Sequence, residues 1–343
     1  MTRALMVAPW FPPWTRVGAH RSARFVRHLQ ARGFEVAVVH LAAEGEVPED
    51  LVELDRLTIG RRRPARAPAQ TGARLPPWRA AIDRMVPIDG WLPVMWPARR
   101  RVLDFARAFR PDVVWTTADP WSSLVLGSWV ARAVDRPWVA DLRDPWTVGD
   151  VRHGRRPAPI RWLDHRVERR LLARARAIVF TAEQTAARYR ERFEGLGDRV
   201  HVIRNGFAGE PHPFSAALSP GAELRLRFYG RFRPLSSARR AISLLACLPP
   251  SVRVVSVGGL DDEDRMRARA AEVETRFESE RSVEWAAGRQ RLEQSDMLLL
   301  STEPGRDEIL PAKLFDYLAA GRPILSLGQS SEIAEILAKT GAG

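Results

Sequence analysis

RALMVAPWFPPWTRVGAHRSARFVRHLQARGFEVAVVHL, residues 3–41, sets the fold class. RALMVAP (3–9) is a short apolar run that ends in a Pro- and Trp-rich loop, as a buried strand does. From about His20 to Arg32 the apolar residues Phe25, Val26 and Leu29 recur at helical spacing, and Gly33 supplies the stop. FEVAVVHL (34–41) is again a strand. Strand, loop, helix and strand in this order form the unit of a parallel sheet, because parallel strands need a crossover between them.

Outward from this unit the alternation continues. PDVVWTT (111–117) reads as a strand, SSLVLGSWVARAV (122–134) as a helix and PWVADLRD (137–144) as a strand. RVERRLLARA (166–175) is a helix leading into AIVFTA (177–182), and TAARYRERF (185–193) leads into RVHVIRNGF (199–207). Two stretches break the rhythm. Residues 60–101 are rich in Pro, Arg and Trp and read as a long excursion from the sheet. Residues 205–221, with Asn-Gly and several prolines, read as an interdomain linker. A second run follows: LRLRFYG (224–230), ARRAISLLACL (238–248), VRVVSVGG (252–259), a charged helix near 262–280, SVEWAAG (282–288), and DMLLLS (296–301). The expectation is an α/β protein of two Rossmann-like doubly wound domains, 1–207 and 208–343. Their strand C-termini face each other across a cleft where ligands bind at the topological switch points.

The net charge of +13 is unevenly spread. Up to Asn205 the chain carries 36 Arg and Lys against 22 Asp and Glu; the remainder carries 18 against 19. A basic balance confined to one domain points to a basic face and an anionic partner. Lysine occurs only as Lys313 and Lys339, so the arginine abundance also reflects a compositional bias. No apolar run reaches the roughly 18 residues needed to span a bilayer. The N-terminus lacks the basic and apolar regions of a signal peptide. With Cys247 as the single cysteine, an intrachain disulfide is excluded and a cytoplasmic location is expected. Cys247 lies in an apolar helical pattern and reads as a buried small residue.

EILPAKLFDYLAAGRPIL (308–325) carries the densest chemistry. Glu308 and Asp316 bracket seven residues, Pro311 marks a helix start, Lys313 lies in the first turn, and Gly321 stops the helix before an apolar strand. A helix N-terminus with a lysine suits phosphate, and carboxylates beside it suit sugar hydroxyls. Together they read as a site for a sugar nucleotide. Asp262 and Asp264 are read as helix-capping residues. The histidines show no metal-ligand spacing.

With these residues in place the chain resembles the retaining GT-B glycosyltransferases, in particular the large family-4 group of polysaccharide and lipid-linked glycan enzymes. The resemblance runs over nearly the whole chain, and Asp316 stands where that family carries a second Glu. It implies that Glu308 contacts the donor sugar, Asp316 the ribose hydroxyls, and the backbone N–H groups of Ile309 and Leu310 the diphosphate. Pro311 removes one such donor, and Lys313 supplies a charge. LRLRFYGRF (224–232) resembles the family's Gly-Arg, which places Arg231 at the diphosphate; the lysine that follows in the family is absent here. In the first domain, Gly18 matches the family's Gly-rich turn, where backbone approaches the donor phosphate. Arg21 and Arg24 open the following helix, against the helix dipole, so an anion nearby would explain them. RPWVADLRDPWT (136–147) places Asp141, Arg143 and Asp144 at the acceptor–donor junction, a buried Asp–Arg pair being the alternative. Asn205, in VIRNGF, lines the cleft floor.

The resemblance implies hexosyl transfer from a nucleotide diphosphate sugar to a hydroxyl with retention, no cofactor and no metal. Arg231, Lys313 and Glu308 are the expected catalytic residues. The basic first domain suggests a glycan or lipid-linked acceptor at the inner face of the plasma membrane. Trp78, Trp91 and Trp96, with Arg79 and Arg99–Arg101, would form the interfacial patch; the alternative is a loop packed over the sheet. A nucleotide-sugar 2-epimerase or a phosphorylase on the same fold is a second reading. A non-catalytic, nucleic-acid-binding protein is a third, although no nucleic-acid module is recognisable. Relatives continue past AKTGAG (338–343), implying a shortened second domain or a different closure of the cleft.

Overall fold

The N-terminal apolar run forms strand β1 (Arg3–Val7) at the middle of a seven-stranded sheet. A computed structural model of the chain describes residues 1–15, 17–61, 84–149, 151–207, 209–215, 223–232, 238–281, 283, 285–302 and 308–343. It divides into two units, Met1–Arg204 and Asn205–Gly343. In the first unit, β2 (Glu35–Leu41), β3 (Asp55–Ile59), β4 (Val113–Ala118), β5 (Trp138–Leu142), β6 (Ala177–Phe180) and β7 (Val200–Val202) join β1 in the order β3-β2-β1-β4-β5-β6-β7. Every pairing is parallel, with Val7 opposite both Val39 and Thr116. Helices cover both faces, which is why β1 and β2 read as near-continuous apolar runs. The cores hold Leu5, Val7, Val39 and Val114 on one side, and Met6, Phe11, Val26 and Val38 on the other.

The second unit is a five-stranded parallel sheet of β8 (Leu224–Phe228), β9 (Val252–Val257), β10 (Phe277–Glu280), β11 (Met297–Ser301) and β12 (Ile324–Leu327). Its order is β10-β9-β8-β11-β12. Strand order reverses direction between β1 and β4 in one unit and between β8 and β11 in the other. At such points the two flanking loops diverge and leave room for a ligand.

Several sequence expectations need correction. Residues 262–280 are not one helix: a helix spans Asp262–Ala270, and Phe277–Glu280 is strand β10. The helix expected from Arg166 begins at Ala158 and runs to Arg174, with Pro157 as its N-cap. The motif helix is Lys313–Ala320, so Pro311 lies just outside it and accepts a hydrogen bond from Leu314 N at 3.0 Å. Capping of Asp262–Ala270 comes from Asp261, which accepts from Asp264 N at 2.9 Å. Asp264 itself is buried and accepts from Ala238 N. Cys247 is exposed, because the helix Arg239–Ala246 ends there and turns this position to solvent.

The excursion's return is packed against the first unit. Asp164, fully buried, accepts from Ile88 N at 2.7 Å, and Asp89 accepts from Trp91 N and Ser122 N. Trp91 meets the Trp10 ring edge-on at 5.1 Å. Trp96 carries Arg99 over its ring at 4.8 Å, and Arg99 to Arg101 begin the helix Arg99–Phe109. Trp78 and Arg79 lie outside the described residues. No helix among the described residues is long and apolar enough to cross a membrane.

Candidate functional site

In the first unit the chemistry gathers where β1, β4, β5 and β6 end. Asp141, on β5, is fully buried and paired with Arg21 of the helix Val17–Ala31. Arg21 Nη2 donates to Asp141 Oδ1 at 2.8 Å and Nε to Oδ2 at 3.1 Å, while Nη1 reaches Arg204 O at 3.3 Å. Its guanidinium also lies 4.7 Å from the Phe25 ring. The anion that explains an arginine at this helix start is therefore an internal carboxylate. Such a fork matches carboxylate geometry in two bonds, and it ties the first helix to the centre of the sheet.

Arg143 spans three elements. Its Nε donates to Ala118 O at 2.5 Å and its Nη2 to Asp119 O at 3.1 Å, across a turn with cis peptides at 118–119 and 119–120. Its own carbonyl accepts from Thr181 Oγ1 at 2.6 Å, beyond the end of β6. The guanidinium also lies against Gly18: a Cβ there would stand 2.8 Å from Arg143 Cζ. Gly18 is thus required by a side chain of the same unit. Asp144 is half-buried beside Arg143. The next residues are clamped from below: Tyr189 OH accepts from Trp146 N at 2.7 Å and donates to Glu168 Oε1 at 2.6 Å. Thr147 Oγ1 donates to the other oxygen of Glu168. Burial pushes Glu168 up to about 7 against the lowering effect of these hydrogen bonds, with Asp164 adding to the rise.

In the second unit the cations gather at the ends of β8 and β9. Lys313, first residue of its helix, places Nζ 3.7 Å from the centre of the Phe228 ring, a cation–π contact. It passes over Gly230, whose φ of 129° lies outside ordinary side-chain territory and whose added Cβ would stand 2.9 Å from Nζ. Arg231 follows and runs along Gly258, just past β9. Glu308, Ile309 and Asp316 are half-buried, while the Leu310 side chain is buried. The structure brings Arg231 and Lys313 to one strand-end region around Gly230. Asn205 opens this unit's chain and is half-buried.

Two tyrosines escaped the sequence reading. Tyr317 OH accepts from Tyr229 N at 2.8 Å and donates to Leu299 O at 3.3 Å, so the motif helix is latched to both β8 and β11. Burial raises the Tyr317 phenol, and the nearby Asp316 charge adds to the rise; the same two causes raise Tyr229. A tyrosine one residue past an acidic motif position was visible, but its partners were not. Among the described residues no group of three or more His, Cys, Asp or Glu is placed to hold a metal ion.

The chain is similar in structure to several solved proteins. HepE from Anabaena, in complex with UDP and glucose, matches with a TM-score of 0.62 at 15% identity, covering 99% of this chain and 89% of that one. Sucrose-phosphate synthase from Thermosynechococcus elongatus matches at 0.61 and 15% identity, covering 99% and 91%. A putative UDP-N-acetylglucosamine 2-epimerase from Listeria monocytogenes matches at 0.51 and 15% identity, covering 97% and 81%. At such identities the likeness is one of fold, two Rossmann-like domains of the GT-B kind. No curated protein matches the sequence. The model of the glycosyl transferase 4-like domain matches residues 18–206, more than half of the chain. A match of this extent places the chain in the glycosyl transferase 4-like family, and it is a glycosyltransferase of the GT-B type.

Proposed function

We propose that this glycosyltransferase moves a sugar from a nucleotide diphosphate sugar to a hydroxyl of a membrane-borne glycan, with retention of anomeric configuration. The observation that carries the donor assignment is Lys313 Nζ held over Phe228 and Gly230 at the β8 end, with Arg231 beside it. Two cations and the start of a helix at a switch point suit a diphosphate. The fold likeness to HepE, solved with UDP and glucose, favours the same donor class.

In this reading Ile309 and Leu310 N–H groups bind the diphosphate, Glu308 the sugar hydroxyls and Asp316 the ribose. The bond between the anomeric carbon and the diphosphate oxygen breaks as charge develops on the leaving group, and Arg231 and Lys313 stabilise that charge. The acceptor oxygen bonds to the anomeric carbon on the same face. Its proton passes to the departing phosphate oxygen, so no protein nucleophile or metal is invoked. Acceptor contacts fall to the first unit, where Arg143 and Asp144 follow β5. Gly18, Arg21 and Asp141 shape that region through the internal contacts described above, and Asn205 contributes at the start of the second unit.

A donor screen by nucleoside diphosphate release, with and without lipid-linked glycan acceptors, tests the reading. Acceptor-dependent release from one donor, with the product in the donor's anomeric configuration, is expected. Epimerised donor without release would replace the reading by a 2-epimerase, and an inverted product would overturn retention.

A further inference from the structure

The helix Ala158–Arg174 sorts its charges by face. Its two acids, Asp164 and Glu168, are both fully buried, one holding Ile88 N and Arg156, the other holding Thr147 and Tyr189. The exposed face carries Pro159, Trp162, Arg166, Arg169, Arg170 and Ala173, spaced three and four apart as one helical stripe. Arg161 and Arg174 flank it, also exposed. Trp162 is 63% exposed, and Arg166 lies over its ring at 5.4 Å. Among the described residues no carboxylate pairs with Arg166, Arg169, Arg170 or Arg174.

Arginine abundance alone does not produce this. On the helix Asp262–Ala270 of the same chain, Arg267 pairs with Glu263 and Asp264, and Arg269 with Glu274. The opposite, buried face of the helix holds a segment that carries another exposed apolar residue. Met85, 59% exposed, belongs to the segment whose carbonyls at Arg84, Val86 and Ile88 accept from Arg156, and whose Ile88 N is held by Asp164. A large indole and arginines with no opposing acid thus share one outward surface.

We infer that this face of the helix Ala158–Arg174 docks the protein on an anionic lipid bilayer, with Trp162 seated at the headgroup level and the arginines on lipid phosphates. Charge complementarity selects the partner. An unopposed arginine stripe is drawn to an anionic leaflet, and indole rings favour the headgroup region. The same arginines would also meet nucleic-acid phosphates, so the exposed indole and the membrane-borne acceptor decide for the bilayer. The inference rests on the membrane-borne acceptor and relocates its surface away from Trp96 and Arg99–Arg101.

Sedimentation of the full chain with vesicles tests it, using phosphatidylcholine alone or with about 30% phosphatidylglycerol at near-physiological salt. Binding is expected only with phosphatidylglycerol. Trp162→Ala should weaken it about fivefold, and Arg166→Glu/Arg169→Glu/Arg170→Glu should weaken it more than about thirtyfold. Arg100→Glu/Arg101→Glu should leave it within about twofold, and all variants should keep wild-type melting temperatures and donor turnover in solution. Equal losses in the two arginine variants would reduce the effect to overall charge and overturn the assignment. So would vesicle binding indifferent to the helix variants, although the membrane reading would survive. No vesicle binding would sink both, and binding of tRNA instead, lost in the same variants, would assign the face to nucleic acid.

Discussion

Glu168→Gln should make the first unit more stable at pH 8 than the wild type, by a margin that shrinks towards pH 5 and closes only below about 4.5. The carboxyl is fully buried, accepts from Tyr189 OH at 2.6 Å and from Thr147, and titrates at about 7 instead of the ordinary 4.5. Because the folded value is the higher one, the native state holds a proton between those limits that the unfolded chain has released. Stability from this group is therefore full below about 4.5 and is lost as pH rises through about 7. The difference between 4.5 and about 7, at about 1.4 kcal/mol per pH unit, amounts to roughly 3 kcal/mol. Glutamine keeps an acceptor for Tyr189 and carries no charge, so its stability should not fall over this window. His40, held by burial at about 4, acts with the opposite sign, losing stability as pH falls below 6.5, but it is common to both proteins and cancels in the difference. The assay is denaturant unfolding from pH 5 to 8 followed by tryptophan fluorescence; every tryptophan except Trp285 lies in the first unit. Curves for the two proteins that run parallel across that range would refute a titrating Glu168.

Three other substitutions probe the strand ends. Gly18→Ala should push the Arg143 guanidinium off Ala118 O and Asp119 O and cost about 1–2 kcal/mol in unfolding free energy, since those hydrogen bonds are part-buried and made by a charged group; an unchanged melting curve would show that the contact yields freely. Arg21→Met leaves Asp141 buried without its partner and should cost about 3–5 kcal/mol, most of it recovered in Arg21→Met/Asp141→Leu, a double-variant cycle that would read near zero coupling if the pair were solvated. Tyr317→Phe removes the acceptor of Tyr229 N and should lower stability of the second unit by about 1–3 kcal/mol while raising the donor KM several-fold; hydrogen exchange at Tyr229 equal to wild type would contradict the latch.

Most of the sheet was legible because it is buried on both faces. RALMVAP, FEVAVVHL and DMLLLS are continuous apolar runs, and their helices carry periodic apolar faces. Two of the four edge strands, β3 and β10, were not legible. DRLTI and FESE mix charge with apolar residues, as edges do, and Glu280 of the second is paired with Arg227. At the site, Lys313 was visible inside the 308–325 motif, and Arg231 through the resemblance of LRLRFYGRF to the family's Gly-Arg. Contacts across long sequence separations were invisible. Arg21 and Asp141 lie 120 residues apart, and nothing local marks them as partners. The same holds for Arg143 against Gly18 and for Tyr189 beneath Trp146.

Donor turnover in Lys313→Met and Arg231→Met, set against wild type and followed by nucleoside diphosphate release, addresses the proposed diphosphate site on the second unit. Each variant should lose about 10²–10³ in kcat with a smaller change in donor KM, because the charge these cations meet develops only as the bond breaks. Turnover within about twofold of wild type in both variants would contradict a diphosphate held at Gly230.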